Sequence, residues 1–285
     1  MKENAIEVIK HRMIFKDTLL CCGLDPDLSK IPIEPAFNKL SKEERIKTFF
    51  AKVIDITANH VCAYKLQKAF FDRLSLGHDT LKEVISYIHK NHVGIPAIID
   101  CKMGDIENTK QAYLSNILGE LEADGVVVNP YMGDDVMKPL AKYPDKAIIV
   151  LAKTSNPGGG IVQDINLESG IPLWQYILKL TIERWNSSQN MIPVISSTVG
   201  LDMTRVRKLI PDEMLILLAG IGTQGGSYSD LSKLLNSKRS GVFVNSSRGI
   251  LYPQLIPDQM WQSAVELEAI RLKTELNKER KLGNE

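Results

Sequence analysis

The amino-acid sequence predicts an α/β fold, a (β/α)8 TIM barrel in a single domain that spans residues 1–285. Short β-rich runs alternate with helical patterns along almost the whole chain, as in parallel strands joined by crossover helices. Several of these runs are apolar nearly throughout, which is typical of strands buried on both faces of a sheet. A barrel of this kind needs roughly 250 residues, so the chain length fits one such domain.

The candidate elements follow one another in barrel order. Amphipathic helical stretches lie between the strands, and helices flank the barrel at both termini. Eight such units fit a closed barrel better than an open doubly wound sheet, which periodicity alone leaves as an alternative. The candidate strands are residues 18–24, 61–66, 95–101, 125–129, 146–152, 192–196, 214–219 and 241–245, and the clearest helical stretches are 79–90, 109–121, 171–185, 203–209, 230–235 and 258–281.

The composition is that of a globular protein without a charged-polymer partner. Hydrophobic residues make up 44% of the chain and charged residues 24%, which leaves ample side chains for a buried core. The net charge of +1 gives no reason to expect binding to nucleic acid or to an anionic membrane. The N-terminus lacks a secretory pattern and the apolar runs are strand-sized, so a soluble, cytoplasmic protein is expected.

The cysteines and histidines give no metal-site pattern. The four cysteines lie in apolar, strand-like runs without CxxC spacing, so we expect free, buried thiols of a reducing compartment rather than disulfides or a zinc site. Of the five histidines, only His89 and His92 share a plausible helix face. We expect no metal site there, since cationic side chains are favoured near a helix C-terminus in any case.

The strongest functional signal is the segment 100–109, DCKMGDIENT, which directly follows an apolar run. Positions i and i+2 of a strand point to the same face, so Asp100 and Lys102 should project together into the barrel mouth. Active sites of such barrels lie at this end. A buried salt bridge is the structural alternative for this pair, although such bridges contribute little net stability. For Asp105 the structural alternative is a helix N-cap.

A second lysine, Lys65, ends the second candidate strand. Taken alone, it would most simply extend outward and place its ammonium in water. Together with Asp100 and Lys102, it indicates an array of alternating charges in the barrel mouth.

Two late segments predict an anion site. Residues 220–226 read GIGTQGG, and Arg248 follows the eighth candidate strand. Glycines let the backbone approach a ligand closely, and an arginine can hold a dianion with two hydrogen bonds. Barrels often bind phosphate at the loops after strands seven and eight. A flexible turn and a surface arginine are the functionally neutral alternatives.

These motifs together resemble orotidine 5′-monophosphate decarboxylases, most closely the branch with a TSN segment. The resemblance runs in order from about residue 20 to residue 252. The matching segments are GLDP at 23–26, Lys65 with FF at 70–71, the block at 100–109, NPYMG at 129–133, KTSNP at 153–157, the loop at 220–226, and SRGI at 247–250.

The resemblance implies the catalytic roles. Lys65, Asp100 and Lys102 would form the charged array, and Lys102 would be the acid that protonates C6 of the pyrimidine. Asp105 would complete the array from the neighbouring subunit of a homodimer. The family uses neither a metal ion nor an organic cofactor.

The resemblance also implies how orotidine 5′-monophosphate would be bound. Ribose contacts would come from Asp25 and Lys65, and from Thr109 across the dimer interface. Ser155 would contact the pyrimidine edge. The phosphate would be held by Gln224, Gly225, Gly226 and Arg248.

The chain departs from the family pattern at three places. Gln67 stands where an asparagine is usual, Ser196 and Ser197 stand in a segment that usually reads VVGAT, and Ala219 replaces a proline before the glycine loop. None of these changes removes a charged catalytic group. They put in question the shape of the phosphate loop, and hence affinity more than reaction type.

Two other functions remain as alternatives. A relative of the same barrel superfamily could act on sugar phosphates through a metal-stabilised enediolate, using the shared Asp-x-Lys-x-x-Asp pattern. A catalytically inactive, nucleotide-binding barrel would be a scaffold or sensor. The TSN segment favours a pyrimidine substrate over the first alternative, and the intact charged residues speak against the second.

Overall fold

The eight strands of the protein form a closed parallel barrel. The computed structural model describes residues 4–32, 34, 35, 37, 39–221 and 225–282. Neighbouring strands pair in chain order, and the first also pairs with the last. The predicted (β/α)8 barrel is therefore confirmed, and the open sheet is excluded. The strands are β1 (Leu20–Gly23), β2 (Ala63–Gln67), β3 (Ala97–Met103), β4 (Gly125–Val128), β5 (Ala147–Leu151), β6 (Met191–Ser196), β7 (Ile216–Ala219) and β8 (Val242–Ser246).

The helices surround this barrel. The stretches predicted at 109–121 and 171–185 begin as α-helices, but each ends in a wider, π-helical turn, at Ser115–Glu120 and at Thr181–Trp185. The α-helices in the described part of the chain are α1 (Ala5–Phe15), α2 (Lys42–Thr57), α3 (Lys68–Asp72), α4 (Gly77–Asn91), α5 (Glu107–Leu114), α6 (Asp134–Met137), α7 (Gly160–Gln163), α8 (Leu173–Leu180), α9 (Met203–Lys208), α10 (Ser229–Leu234), α11 (Arg248–Leu251) and α12 (Trp261–Lys281).

The strands are buried on both faces, as their apolar sequences predicted. All residues of β1, β4 and β6 are buried, and the helices cover the outer face of the sheet. Burying one large aliphatic side chain stabilises the fold by about 1.5–3 kcal/mol. This apolar wall fixes the strand ends, from which the polar side chains of the barrel mouth project.

Helix α1 covers the amino-terminal end of the barrel. The Asn4 side chain accepts a hydrogen bond of 2.9 Å from the amide of Ile6 and so caps the helix. Further along, Arg12 donates to the carbonyls of Ala58 and Val61 at 2.5 and 2.9 Å, just before β2. Since α1 covers this end, the opposite, carboxyl end of the barrel is left for a ligand site.

The four cysteines are unpaired. Cys21, Cys22 and Cys62 are buried, and Cys101 is partly exposed. The prediction of free thiols is thus confirmed, whereas complete burial was wrong for Cys101. This residue lies where the pairing of β3 with β4 becomes irregular.

Candidate functional site

A cavity of about 560 Å³ opens at the carboxyl ends of the strands. Residues at or after each of the eight strands line it, including Asp25 after β1 and Arg248 after β8. Such convergence at the carboxyl end is the usual arrangement of an active site in this fold. The sequence placed the site at this end, and the cavity agrees with that prediction.

A carboxylate between two ammonium groups lies in this cavity. Oδ2 of Asp100 is 2.8 Å from Nζ of Lys65, and Oδ1 is 2.7 Å from Nζ of Lys102. Lys65 and Asp100 are each only 7% exposed, whereas the Lys102 side chain is 48% exposed. Lys65 therefore does not extend into water, and the predicted charged array is present within one chain for these three residues.

The backbone brings Lys102 beside Asp100 by a route that strand alternation did not predict. In the pairing of β3 with β4, Asp100 is opposite Val127, and the next pair joins Met103 to Val128. The intervening residues form a bulge, and Lys102 has a positive φ of 48°. Residues other than glycine are uncommon at positive φ because their Cβ is strained there. Such backbone strain often accompanies a functional position.

The three charges stabilise one another against the cost of burial. Burial acts to lower the pKa of Lys65, but attraction to Asp100 and Asp25 outweighs it, so the pKa is raised. For Asp100, burial acts to raise the pKa, but the two lysines outweigh it and lower the pKa. The carboxylate and the buried ammonium therefore remain charged near neutral pH.

Asp25 is held at the cavity wall by two contacts. Its Oδ2 accepts a hydrogen bond of 2.6 Å from the Ser247 hydroxyl, and its Oδ1 accepts one of 3.3 Å from the Gln67 amide. Gln67 thus contributes through its backbone N–H at this contact, which any residue except proline could supply. The presence of Gln67, where the family usually has asparagine, therefore leaves this hydrogen bond intact.

The glycine loop after β7 begins at the cavity. Gly220 lines it with a φ of +91°, and the amide of Gly226 donates to the Gly220 carbonyl at 3.0 Å. Gly225 is exposed, with a φ of +86°, and neither it nor Gly226 lines the cavity. The predicted phosphate ligand Gln224 lies outside the described residues.

The serine departures pack against this loop. The Ser197 hydroxyl donates to the Ala219 carbonyl at 3.2 Å, and a Cβ added to Gly226 would lie only 1.9 Å from that hydroxyl oxygen. Ser196 bonds to Thr198 through their hydroxyls at 2.9 Å. The departures of β6 and β7 are therefore neighbours in space and pack with Gly226 as one unit.

Arg248 and Ser155 lie at the cavity, as predicted. The Arg248 side chain is exposed at the start of α11 and lines the opening. Ser155 follows β5 and also lines the cavity, and its carbonyl accepts a hydrogen bond of 3.2 Å from the Thr198 hydroxyl. Ser155 precedes the β7 loop in sequence and Arg248 follows it, and the barrel fold brings both residues to the same cavity.

Asp105 and Thr109 are not brought into the cavity of their own chain. The Asp105 carboxylate accepts a hydrogen bond of 2.8 Å from the next amide, that of Ile106. Ile106 occupies the N-cap position of α5, so the alternative of Asp105 as the N-cap is wrong. Thr109 is exposed on α5.

Several lining residues were not singled out from the sequence. Tyr252 accepts a hydrogen bond from the Asp27 amide at 2.8 Å and donates to the Asp25 carbonyl at 3.1 Å, and burial raises the pKa of its phenol. Arg73 donates to the Pro26 carbonyl at 3.0 Å. These residues belong to helices or to the segments beyond them, where no strand-end motif marks them.

Asn245 is a further lining residue that sequence reasoning missed. It is on β8, and its buried side-chain oxygen has no hydrogen-bond partner within the described part of the chain. The only sequence signal is an amide residue at the end of an apolar strand.

The geometry agrees with the comparisons with known proteins. The model of the orotidine 5′-phosphate decarboxylase / HUMPS family matches residues 18–254. The chain belongs to this family. Within it, the orotidine 5′-phosphate decarboxylase of Cupriavidus necator is 41% identical over 83% of this chain and 85% of its own length. That of Dechloromonas aromatica is 37% identical over 92% and 94%.

Two solved structures from Leishmania donovani share the same fold. Leishmania donovani OMP decarboxylase superposes with a TM-score of 0.81 at 29% identity, covering 97% of this chain and 99% of that one. Leishmania donovani UMP synthase gives a TM-score of 0.83 at 30% identity, but the match covers 98% of this chain and only 57% of that longer one.

Two features are absent from the described residues. No group of three or more His, Cys, Asp or Glu side chains among them could hold a metal ion. In the same residues, no helix combines the length and apolar character that crossing a membrane requires.

Proposed function

We propose that the protein converts orotidine 5′-monophosphate to UMP and CO2 in de novo pyrimidine biosynthesis. The observation that carries this proposal is the Asp100 carboxylate between two ammonium groups in the barrel mouth, in a chain of the decarboxylase family. The relatives named above act as decarboxylases of this nucleotide, which supports the choice of substrate.

Lys102 supplies the charge and the proton for the reaction. When the bond from C6 to the carboxylate breaks, the electron pair stays on C6, in the plane of the ring, where the π system cannot delocalise it. An ammonium fixed beside C6 stabilises this carbanion more than the starting state, and this difference lowers the barrier. An N–H proton of Lys102 then passes to C6, and the neutral amine regains a proton from water.

Asp100 fixes Lys102 and acts on the departing carboxylate. Both of its oxygens are engaged by lysines at 2.7 and 2.8 Å, so the position of the Lys102 ammonium is set before substrate binds. A substrate carboxylate bound nearby would be repelled by Asp100. Its loss as neutral CO2 relieves this repulsion.

The remaining lining residues hold the nucleotide. Asp25 and Lys65 contact the ribose, and Ser155 contacts the pyrimidine edge. Arg248 grips the phosphate dianion through two charge-assisted hydrogen bonds. Gln224, Gly225 and Gly226, which follow β7 in sequence, are proposed as further phosphate ligands, although the two glycines do not line the cavity. Phosphate contacts remote from C6 provide binding energy that positions the ring.

Incubation with orotidine 5′-monophosphate in excess chelator tests the proposed activity. We expect loss of the orotate absorbance and formation of UMP at the same rate with and without chelator. Turnover of a sugar phosphate that chelation abolishes would instead support the metal-dependent alternative. Binding of the nucleotide without any turnover would support the inactive barrel.

We also propose a homodimer in which Asp105 and Thr109 complete the site of the neighbouring subunit. Neither residue lines the cavity of its own chain. The turn that carries Asp105 packs on the segment after β4, since the Asn129 amide donates to the Met103 carbonyl at 2.7 Å. That segment presents Tyr131 and Met132, which are 81% and 49% exposed. Exposed apolar side chains of this size favour a protein interface.

Mixing two inactive variants tests the shared site. In a heterodimer of Lys102→Ala and Asp105→Ala subunits, one site carries both changes and the other carries neither. Random mixing makes half of the dimers heterodimers, so we expect recovery of about a quarter of the wild-type activity. Each variant alone should be nearly inactive. A mixture no more active than its components would contradict a site shared between subunits.

A cytoplasmic location is part of the proposal. The four free thiols, three of them buried, support a reducing compartment.

A further inference from the structure

A buried lysine outside the charged array stands just after β5. Lys153 is 1% exposed, and its ammonium lies 2.5 Å from Oδ1 of Asp164. An ammonium removed from water is costly unless an opposite charge pairs with it. The reaction proposed above uses neither residue, so the pair requires another explanation.

A second set of contacts ties the same two stretches of chain together. Oε1 of Gln163 accepts a hydrogen bond of 3.1 Å from the Thr154 amide, and Nε2 of Gln163 donates to the Thr154 hydroxyl at 2.7 Å. That hydroxyl in turn donates to the Asn156 side chain at 2.6 Å. Residues 153–154 and 163–164 are therefore joined by side chains at both ends of the intervening turn.

The turn is packed around these polar groups. A Cβ on Gly160 would lie 2.7 Å from Oδ2 of Asp164, and one on Gly159 would lie 3.0 Å from the Thr154 hydroxyl. Its apolar side chains, by contrast, point outward, since Ile161 is 81% exposed and Val162 is 48% exposed. The conformation of the turn thus depends on polar contacts rather than on a hydrophobic core.

Ser155, the first residue of this turn, lines the cavity, as does the adjacent clip residue Thr154. We propose that the clip, defined as Lys153, Thr154, Gln163 and Asp164, is a positioning device that sets Ser155 over the cavity. Lys153, Gln163 and Asp164 do not line the cavity, so they are positioning residues that act on the substrate through Ser155, which directly follows Thr154 in the chain. The inference rests on the proposed function, in which Ser155 contacts the pyrimidine.

Asp164→Asn, made alone and together with Ser155→Ala, tests the clip. The Asp164→Asn change keeps the shape of the side chain but leaves the Lys153 ammonium without its counter-charge. We expect kcat/KM with orotidine 5′-monophosphate to fall about 100-fold, the loss associated with a displacement near 1 Å at a reacting centre. In the Ser155→Ala background, Asp164→Asn should reduce kcat/KM only about twofold further, because both changes act through the contact that Ser155 makes with the substrate. Glu275→Gln, which breaks an exposed pair with Lys278 on α12, is the matched control and should leave kcat/KM unchanged.

A purely structural role would give a different pattern. A lowered Tm with unchanged kcat/KM, or an equal loss in both backgrounds, would overturn the proposal. Amide hydrogen exchange of residues 154–164, measured without substrate, tests the clip independently of turnover. We expect faster exchange in Asp164→Asn than in the wild type, and equal exchange would overturn the clip. If the wild type shows no turnover while this exchange increases, the proposed function fails and the clip remains.

Discussion

Lys102→Ala is expected to reduce kcat with orotidine 5′-monophosphate about 10⁵-fold. Loss of a preorganised electrostatic donor costs about 10²- to 10³-fold, and loss of a general acid costs about 10²- to 10⁴-fold. Lys102 supplies both effects in the proposed reaction. Its loss also leaves Asp100 paired with Lys65 alone, so the negative charge beside C6 is compensated less. Stopped-flow or long-term absorbance assays would measure the remaining rate.

The fold should survive this change. The Lys102 side chain is 48% exposed, so its truncation removes little buried surface. Alanine would inherit the positive φ, which costs about 1–2 kcal/mol in any residue with a Cβ, lysine included. Lys278→Ala, at an exposed and ion-paired lysine of α12, is the matched control and should retain wild-type kcat. A Lys102→Ala protein that is folded and turns over at a near-native rate would refute the assigned role.

The barrel could be predicted because its signals are local and repeated. Each strand is a short apolar run, and burial on both faces leaves few other structures for such a run. The strand ends were less well predicted. Residues 18 and 19 were expected in β1, but the Thr18 amide instead donates to the Met13 carbonyl of α1 at 3.1 Å, and the Thr18 hydroxyl donates to the His60 carbonyl at 2.7 Å. A side-chain contact across 42 positions is invisible in a local pattern.

The charged array was predicted for a reason that is only partly correct. Strand alternation does place Asp100 and Lys102 on one face, but the structure brings them together through a bulge with Lys102 at positive φ. Lysine is not a residue that marks such a conformation in sequence, as glycine or asparagine would. The pairing register of β4 decides it, and that register depends on distant residues.

The remaining site residues show the limits of single-sequence reasoning. Arg73 directly follows α3, and Tyr252 directly follows α11. The direction of each side chain therefore depends on how these helices pack on the barrel. In the proposed dimer, Asp105 and Thr109 act in the site of the partner subunit, and no pattern within one sequence fixes an interface. Their roles were implied by family resemblance and remain predictions.

Arg248→Ala is expected to reduce kcat/KM for orotidine 5′-monophosphate about 10³-fold. Two charge-assisted hydrogen bonds contribute about 1.5–3 kcal/mol each, and the loss of both accounts for a factor of this size. With orotidine, the nucleoside that lacks the phosphate, the same change should alter kcat/KM by no more than about threefold, since Arg248 then has no dianion to hold.

The comparison between the two substrates separates phosphate binding from damage to the fold. Arg248 lines the opening and is exposed, so its removal leaves no buried cavity and should not shift Tm. Arg205→Ala, at an exposed arginine on α9 that does not line the cavity, should leave both substrates unaffected. If Arg248→Ala lowered kcat/KM equally for the nucleotide and the nucleoside, the arginine would act on the ring or on the fold. The proposal of a phosphate site at the ends of β7 and β8 would then lack the cation on which it mainly depends.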